Sequence, residues 1–536
     1  MTSTSRPVSL WPGVYIIALV YFALHLATST RYGYFRDALY YLACSEHLAF
    51  GYVDQPPLIA WLGWVARHTL GTLLPALLFW PALAGAGRIV LTAAFARELG
   101  AGRFGTVLAA ALAATPGVWW VIDHQFAMNC FEPLLWGGLA YAVLRLIKTQ
   151  NPKLWLVFGA IAGVGLLNKY SIVVFVTALI VGVLLTRQRT VLFTPWILAG
   201  GAIAFLIFLP NLIWNVQHDW PFLELMRNVR ATGKDVVLPP GKYLLQQVLM
   251  MNPVSFPFWF GGLLFLLFAR DARVYRALGW TFVIALACFM ITHGKDYYAA
   301  PAYVVVLAAG GVAAERLFAR LARTSVSSTR TSVASADTSV SLARRRLQTV
   351  LMAASLVWLV LGVGPLLPLV LPVLPIETFI RYQSHLPFEV PKTEQSFVGE
   401  SLPQYYADEF PWPGMVEAVA RVYHSLTPEE QQRTAIFANN YGQAAAVDFF
   451  GPKYGLPKAI SGHQNYYLWG PRNYTGDIVI VLGDEESDAR EHFESVTVAA
   501  TLNNPYAYRY ENLPVLLCRG LKWNLQTEWS RVKNWR

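Results

Sequence analysis

Long apolar runs recur along this chain, and they restrict its fold more than any other feature of the sequence. Each run approaches or exceeds the ~18 residues that a helix needs to cross a bilayer, and each ends in a charged or Gly/Pro-containing break. With 55% hydrophobic and 14% charged residues among 536, the chain has too few charges to cover a soluble protein of this length. We therefore expect a polytopic α-helical membrane protein with about eleven transmembrane helices, near residues 10–28, 73–95, 104–121, 129–147, 154–168, 170–186, 191–212, 248–268, 277–292, 298–318 and 347–374.

The basic residues of the short loops predict the orientation. If the spans alternate, one side receives Arg97, Arg103, Lys148, Lys153, Arg187, Arg189, Arg270, Arg273, Arg276 and the stretch 316–346. Because Lys and Arg resist translocation, that side is predicted to be the cytoplasm, and the protein to lie in the cytoplasmic (inner) membrane. The net charge of +10 then reflects this loop bias, so no nucleic-acid partner is expected. The first span has no clear cleavage site and is expected to be a retained anchor.

By the same alternation, four loops and the last part of the chain face outward. The loops are 29–72, 122–128, 213–247 and 293–297. Residues 1–374 form the predicted transmembrane domain, and its Ser/Thr-rich stretch 324–346 is expected to be a flexible cytoplasmic linker between two spans. Residues 375–536 are more polar, and alternating runs such as "TAIFANN" and "DIVIVLG" predict strands among helices. They are expected to form a soluble, extracytoplasmic α/β domain.

Ionisable residues gather near the outer ends of the spans. A charge at the bilayer centre costs about 2.5–3.5 kcal/mol, so acids there are expected at the interface or in a cavity. The acids in such positions are Asp37, Glu46, Asp54, Asp123 and Glu132. Asp37 follows the first span, beside Arg36 and close to two tyrosines, as a base or metal-binding carboxylate at a cavity mouth would. The alternative is an interfacial acid solvated by headgroups and water.

Asp54 precedes Gln55-Pro56-Pro57 and the apolar segment "LIAWLGWVA". The prolines exclude a regular helix at that point, whereas the Trp-containing segment after them favours a helix along the outer membrane surface. This loop could cover a site, or it could be a simple connection that turns at the prolines.

Further polar residues lie in the other outward loops. His124, Asn129 and Glu132 in "HQFAMNCFEPLLW" could converge on the cavity of Asp37, or they could be satisfied hydrogen-bonding groups inside the bundle. Lys169 in "LLNKYS" could neutralise a phosphate, or it could extend to the interface.

The stretch "THGKDYYAAPAY" contributes Lys295, Tyr297 and Tyr298, whose ammonium and phenol groups suit a phosphate head group. An aromatic belt with an interfacial lysine would have the same composition.

Several of these stretches occur together in one family. "YFRDALYYLACSEHLAFGYVDQPPLIAWL", "FAMNCFEPLLW", "LLNKYS" and "HGKDYYAAPAY" appear in that order over most of residues 30–305. In this the chain resembles the GT-C type glycosyltransferases that use lipid-linked sugars, namely the protein O-mannosyltransferases and the lipid A aminoarabinose transferases. Residues 439–472 also resemble a tail found in a bacterial subset. That tail is either a structural connection or a contact for acceptor or donor.

The resemblance implies an inverting glycosyltransferase. It would move a sugar from a polyprenyl-phosphate donor to an acceptor hydroxyl on a lipid, glycan or protein outside the cytoplasmic membrane. Asp37 matches the essential first-loop aspartate, although Ala38 stands where the family often has a second acid. Asp54 and Gln55 stand where the aminoarabinose transferases carry Glu-Lys, so the Lys is missing here.

Other family positions are matched by residues of the later loops. Glu132 matches the acid of the second outer loop, Lys169 a phosphate-contacting lysine, and Lys295 with Tyr297 or Tyr298 a later Gly-Lys…Tyr segment. The expected mechanism uses Asp37 as base and the lysines and tyrosines to hold the phosphate. A divalent cation could bridge Asp37 or Asp54 to that phosphate, although no ligand spacing requires it and the four cysteines are scattered.

Two other classes of function compete with this one. A transporter or flippase of an anionic lipid-linked substrate would also need outward basic groups around a cavity, but it should place ionisable residues deep within spans. A non-catalytic assembly protein would retain its function after Asp37→Asn.

Overall fold

The computed structural model describes residues 10–234, 236–327, 336–387, 390, 394–397 and 400–536. Helices dominate its first two thirds, and several begin with proline at their first or second position, where the missing N–H has no intrahelical partner to lose. In this part the helices are α1 Pro12–Thr28, α2 Arg36–Glu46, α3 Leu58–Thr69, α4 Leu74–Glu98, α5 Arg103–Ala113, α6 Gly117–Ile122, α7 Glu132–Thr149, α8 Leu154–Asn168, α9 Ile172–Leu184, α10 Pro195–Gln217, α11 Pro221–Thr232, α12 Pro240–Met250, α13 Phe256–Phe268, α14 Arg276–Ile291, α15 Tyr303–Ser327, α16 Ala336–Val363, α17 Leu367–Val370 and α18 Ile376–Ser384.

The prediction of a multispan helical protein is confirmed, but the count of about eleven spans is not. Within the described residues, six helical segments are long and apolar enough to cross a membrane, and the bent pair α12–α13 would make a seventh. These six segments are Leu74–Glu98, Met128–Thr149, Pro195–Gln217, Arg270–Ile291, Asp296–Thr324 and Ala343–Val363. The remaining apolar helices, α1, α5, α8 and α9, are shorter.

Two predicted spans are broken in the structure. The span 104–121 divides into α5 and α6, and Pro116 immediately precedes α6. The span 248–268 turns by 90° between α12 and α13. At that turn Asn252 has a φ of 67°, and its side chain accepts a hydrogen bond from the backbone N–H of Val254. Hydropathy alone does not register these breaks, because the flanking residues remain apolar.

The predicted cytoplasmic linker 324–346 is only partly described. Residues 328–335 lie outside the described residues, while α15 reaches Ser327 and α16 begins at Ala336. The chain therefore enters and leaves that stretch through helices.

The last part of the chain contains the predicted sheet. Its helices are α19 Gln404–Ala407, α20 Trp412–His424, α21 Pro428–Arg433, α22 Tyr441–Phe450, α23 Asn465–Trp469 and α24 Glu486–His492. Its strands are β1 Thr434–Ala438, β2 Ile478–Leu482, β3 Phe493–Ala500 and β4 Val515–Leu521. The strand order is β1-β2-β4-β3, with β1 parallel to β2 and the other neighbours antiparallel. Every residue of β2 is buried, as expected of a central strand covered on both faces.

The two largest apolar cores hold much of the molecule together. The larger lies within the helical bundle, where α15 packs against α13, α5 and α4. The second joins the first predicted outward loop to the predicted soluble domain, packing Leu39 of α2 and Ile59 of α3 with Val416 of α20 and Ala445 of α22. Because this core includes residues from both predicted domains, the predicted soluble domain is docked on α2 and α3 by buried apolar surface.

Candidate active site

A cavity of about 410 Å³ lies where the helical bundle meets the predicted soluble domain. All four of the loops predicted to face outward contribute to its lining: Arg36 and Asp37 from the first, Gln125 from the second, Lys234 from the third, and Lys295 with Tyr297 from the fourth. Glu394 and Tyr441 also belong to this polar part, and apolar residues of α6, α12 and α17 form much of the rest. Such a mixture suits a ligand with a charged head and an apolar chain.

Asp37 stands in the first turn of α2, where the positive end of the helix dipole favours a carboxylate. The Tyr441 hydroxyl donates to its Oδ1 at 2.7 Å, and Arg36 Nε lies 3.8 Å from the same oxygen. Arg36 also extends to the buried Asp408, with Nη2 3.4 Å from Oδ2. The Asp37 side chain remains 29% exposed. It is therefore oriented by its neighbours and still accessible from the cavity.

The basic residues of the cavity face acidic ones. Lys295 Nζ lies 3.2 Å from Oε1 of Glu394, which is buried. Burial alone would raise the pKa of Glu394, but the charges of Lys295, Lys234 and Arg36 outweigh it and lower that pKa to about 2. Glu394 therefore remains ionised at every physiological pH. It pairs with Lys295, the cation that a ligand phosphate would need.

Lys169 lies behind the cavity wall. Its ammonium donates to Asn129 Oδ1 at 2.6 Å and to Glu132 Oε2 at 3.0 Å, and it stands 4.5 Å from the centre of the Tyr298 ring. Asn129 lines the cavity, whereas neither Lys169 nor Glu132 is among the lining residues. The predicted phosphate lysine and the predicted acid thus neutralise each other, one layer from the ligand space.

Asp54 also lies outside the cavity lining, close to the predicted soluble domain. The Tyr40 hydroxyl donates to its Oδ1 at 2.9 Å, and the neighbouring Val53 N–H donates to Asn465 Oδ1 at 2.7 Å. Burial raises the pKa of Asp54 to about 7, although the bond from Tyr40 opposes the shift. Its contacts place it at the junction between the first loop and the soluble domain.

His124 does not line the cavity either. Its Nδ1 lies 3.2 Å from Nδ1 of His25, so the ring is directed into the bundle. The side chain of the neighbouring Asp123 is also directed into the bundle. Arg88 and the Tyr21 hydroxyl each donate to its Oδ2 at 2.8 Å. Gln125 of this loop does line the cavity, together with the apolar Ile122 and Ala127.

The residues present do not fit a divalent cation. Asp37 and Asp54, the predicted ligands, are each bonded to a different tyrosine hydroxyl. Among the described residues, no group of three or more His, Cys, Asp or Glu side chains is placed to hold a metal ion. We therefore assign no step to a metal.

Several residues around Asp37 were not predicted as site residues. Lys234 belongs to a predicted outward loop whose role was left open, and Glu394, Asp408 and Tyr441 belong to the later part of the chain. Tyr441 lies 404 residues from Asp37 in sequence. The one available signal was the family-like tail 439–472, which begins at the Asn439-Asn440-Tyr441 stretch.

Comparison with known proteins supports the same family as the motifs. Residues 54–214 match the family described as dolichyl-phosphate-mannose-protein mannosyltransferase. The lipid A galacturonosyltransferase RgtD of Rhizobium johnstonii is 29% identical over 192 residues, which are 35% of this chain and 39% of that protein. The match therefore spans about two fifths of that relative's length.

Solved structures show the fold over nearly the whole chain. ArnT from Cupriavidus metallidurans bound to undecaprenyl phosphate matches 94% of this chain and 97% of its own, with a TM-score of 0.55 and 14% identity. The apo state of ArnT gives the same TM-score with 13% identity. The chain has the fold of these ArnT structures, and its predicted resemblance to the GT-C type multispan glycosyltransferases is confirmed.

Proposed function

We propose that this protein is an inverting glycosyltransferase that moves a sugar from a polyprenyl-phosphate donor to a hydroxyl group of an acceptor at the outer face of the cytoplasmic membrane. The observation that carries the proposal is the meeting of Asp37, Arg36, Lys234 and Lys295 in one cavity. The four loops that contribute these residues and Gln125 were all predicted to face the same side of the membrane. The four shorter apolar helices would complete the eleven predicted spans.

The Asp37 carboxylate is the proposed general base. It takes the proton of the acceptor hydroxyl while that oxygen forms a bond to the anomeric carbon, on the face opposite the phosphate. The bond from the anomeric carbon to the phosphate oxygen breaks, and its electron pair leaves with the phosphate. Tyr441 and Arg36 both approach Asp37 Oδ1. Among the described residues, no hydrogen bond is made to Oδ2. Oδ2 is therefore the oxygen available to the acceptor.

The departing phosphate needs positive charge. Lys295 and Lys234 supply it in this proposal, with Tyr297 as a phenolic donor on the same wall. The phosphate displaces Glu394 as the partner of Lys295. One anion thus replaces another beside the same ammonium group. Lys169 acts indirectly, by holding Asn129 in the wall through the 2.6 Å hydrogen bond.

The relatives support a lipid chemistry at both ends of the reaction. ArnT is known bound to undecaprenyl phosphate, and RgtD acts on lipid A. We therefore favour a polyprenyl-phosphate donor and a lipid acceptor such as a lipopolysaccharide component. The apolar lining from α6, α12 and α17 would accommodate the first isoprene units of the donor.

One observation favours a transporter. Arg88 and Asp123 form an ion pair at 2.8 Å within the bundle, and a transporter would place ionisable groups there. Both side chains are almost completely buried, and neither lines the cavity. A pair enclosed in this way has no access to substrate, so we favour the transferase.

The proposal is tested by transfer from labelled donors. Membranes containing the wild type, Asp37→Asn or Asp271→Asn are incubated with labelled polyprenyl-phosphate sugars, and label is followed into extracted lipids, glycans and proteins. Asp271 is exposed and pairs with Arg316 at 3.3 Å, in the part predicted to be cytoplasmic, so its variant is the matched control. We expect transfer by the wild type and the control, and a loss of about 10²- to 10⁴-fold in Asp37→Asn, as removal of a general base produces.

Two results would contradict the proposal. Equal transfer by the wild type and Asp37→Asn would remove this carboxylate from the reaction. Movement of an intact lipid-linked substrate across the membrane, without transfer from any donor, would establish the transporter instead.

A further inference from the structure

The soluble domain contributes a side chain directly to the candidate base. The Tyr441 hydroxyl donates to Asp37 Oδ1 at 2.7 Å, across a separation of 404 residues. A short hydrogen bond to an ionised oxygen is among the stronger polar contacts in proteins, and it fixes direction as well as distance. The bond therefore ties the orientation of the carboxylate to the docking of another domain.

Tyr441 is itself held firmly. It is the first residue of α22, whose N-terminus is closed by a reciprocal capping box between Asn440 and Gln443. Both of these side chains also donate to the buried Glu511, at 3.1 and 2.8 Å. The backbone N–H of Tyr441 donates to His463 Nδ1 at 3.1 Å. Local structure of the soluble domain thus fixes the position of this tyrosine.

The Tyr441 ring is enclosed by rings from both sides of the junction. Tyr40 of α2 lies 4.6 Å away between ring centres, and His463 lies 4.9 Å away in a stacked arrangement. The Arg36 guanidinium lies 5.5 Å from the centre of the same ring. These contacts hold the ring in an orientation that directs its hydroxyl toward Asp37.

The backbone of α22 approaches α2 closely at the next residue. A Cβ at Gly442 would overlap Cγ and Cδ of Arg36. Glycine at this position therefore allows Arg36 to pass beside the helix and to lie between Asp37 and Asp408. The arrangement needs α22 as well as α2, so the first loop alone does not build it.

The surroundings of Tyr441 also keep the proton on its hydroxyl group. Burial raises the pKa of Tyr441 well above its ordinary value, and the Asp37 carboxylate adds to this shift while Arg36 opposes it. The hydroxyl is therefore a donor throughout the physiological range and does not compete with Asp37 as a base.

We propose that Tyr441 is a positioning residue of the transfer site, and that the soluble domain is part of the catalytic machinery. Its hydroxyl holds Oδ1 of Asp37 so that Oδ2 faces the acceptor hydroxyl. This inference rests on the proposed function, because it assigns Tyr441 a role toward the proposed base. It gives the tail 439–472 a role in orienting the base.

The test compares two Tyr→Phe variants in the full-length protein. Tyr441→Phe removes the bond to Asp37. Tyr466→Phe removes a similar bond inside the same domain, from a buried tyrosine to Asp448 Oδ2 at 3.0 Å. Steady-state transfer from a labelled polyprenyl-phosphate sugar is measured against pH for both variants, the wild type and Asp37→Asn, with thermal unfolding of each purified protein.

We expect Tyr441→Phe to lower kcat about tenfold to a hundredfold, as loss of a hydrogen bond to a charged group does, with the donor KM unchanged. Tyr466→Phe should keep both kcat and the donor KM within about twofold of the wild type.

The outcomes separate this inference from the proposed function. If the wild type transfers sugar and Tyr441→Phe has its kcat and pH profile, only the positioning role is refuted. Equal losses of kcat in both Tyr→Phe variants, matched by equal losses of thermal stability, would show that the bond merely stabilises the domain. If the wild type transfers nothing, the proposed function fails and the inference fails with it.

Discussion

Two aspartates in this protein have the same kinds of partner and opposite surroundings. Asp123 in the bundle receives Arg88 and Tyr21, each at 2.8 Å from Oδ2, and its side chain is completely buried. Asp37 at the domain junction receives Tyr441 at 2.7 Å but Arg36 only at 3.8 Å, and it faces the cavity. An Arg–Asp–Tyr group is thus a closed structural unit in one place and an open, oriented carboxylate in the other.

The difference lies in what else the arginine does. Among the described residues, Arg88 pairs with one carboxylate, that of Asp123, and both groups are enclosed in the bundle. Arg36 is shared between Asp37 and Asp408, and it neutralises neither completely. A carboxylate that is incompletely neutralised and still exposed can accept a proton from a substrate, whereas an enclosed pair cannot.

The largest expected effect comes from breaking the closed pair. Asp123→Asn leaves the Arg88 charge unpaired inside the bundle, and removal of one partner of a buried ion pair costs about 3–5 kcal/mol of stability. Asp37→Asn should cost about 1 kcal/mol or less, because Asp37 is partly exposed and Arg36 keeps Asp408. Thermal unfolding of the detergent-solubilised variants measures both. Similar unfolding temperatures for the two variants would remove the distinction between the groups.

A second effect concerns Asp408, which shares Arg36 with Asp37, and it is measured as the pH dependence of stability. Burial raises the pKa of Asp408 to about 7, and Arg36 only partly offsets this, while Asp37, Glu511 and Glu394 add to it. The unfolded chain releases this proton near pH ~4, so the stability linked to it is present below about pH 4 and is lost as the pH rises to about 7. As the pH rises from 5 to 8, the free energy of unfolding should therefore fall less in Asp408→Asn than in the wild type.

The control for this measurement is Asp477→Asn. Asp477 is an exposed aspartate of the soluble domain, paired loosely with Arg433 at 3.6 Å. Its variant should keep the pH dependence of the wild type. An Asp408→Asn variant with that same pH dependence would show that this carboxyl does not titrate as described.

The smallest expected effect concerns the exchangeable partner of Lys295. Glu394→Gln removes the carboxylate that competes with a donor phosphate for the ammonium group. We expect the donor KM to fall about fivefold, as loss of about 1 kcal/mol of competition would produce, without a rise in kcat. Glu400→Gln, which alters a nearby acid paired with Arg509, is the control and should leave KM unchanged. A higher donor KM in Glu394→Gln would mean that this acid helps to bind the donor.

The sequence predicted those parts of the fold that depend on local pattern. Apolar runs located most helices of the bundle, and alternation located β1 and β2, because both signals lie within a few adjacent turns or residues. Breaks such as the one at Asn252 were missed, since a φ of 67° at one residue hardly changes hydropathy.

The candidate site could be predicted only in part. Asp37, Lys295 and Tyr297 were found from family-like motifs, and the structure brings all three to one cavity. Glu132 and Lys169 were also singled out, but sequence could not show that they pair with each other at 3.0 Å. Tyr441 could not be connected with Asp37, because that contact depends on the docking of α22 on α2 and no local pattern records docking.

The most direct test of the central claim is a structure with a polyprenyl phosphate bound. We expect its phosphate in the cavity that Asp37 lines, within hydrogen-bonding distance of Lys295 Nζ, with the Lys295–Glu394 contact broken and the Arg88–Asp123 pair unchanged. A phosphate bound elsewhere on the bundle, with Asp37 facing no part of the lipid, would contradict the account.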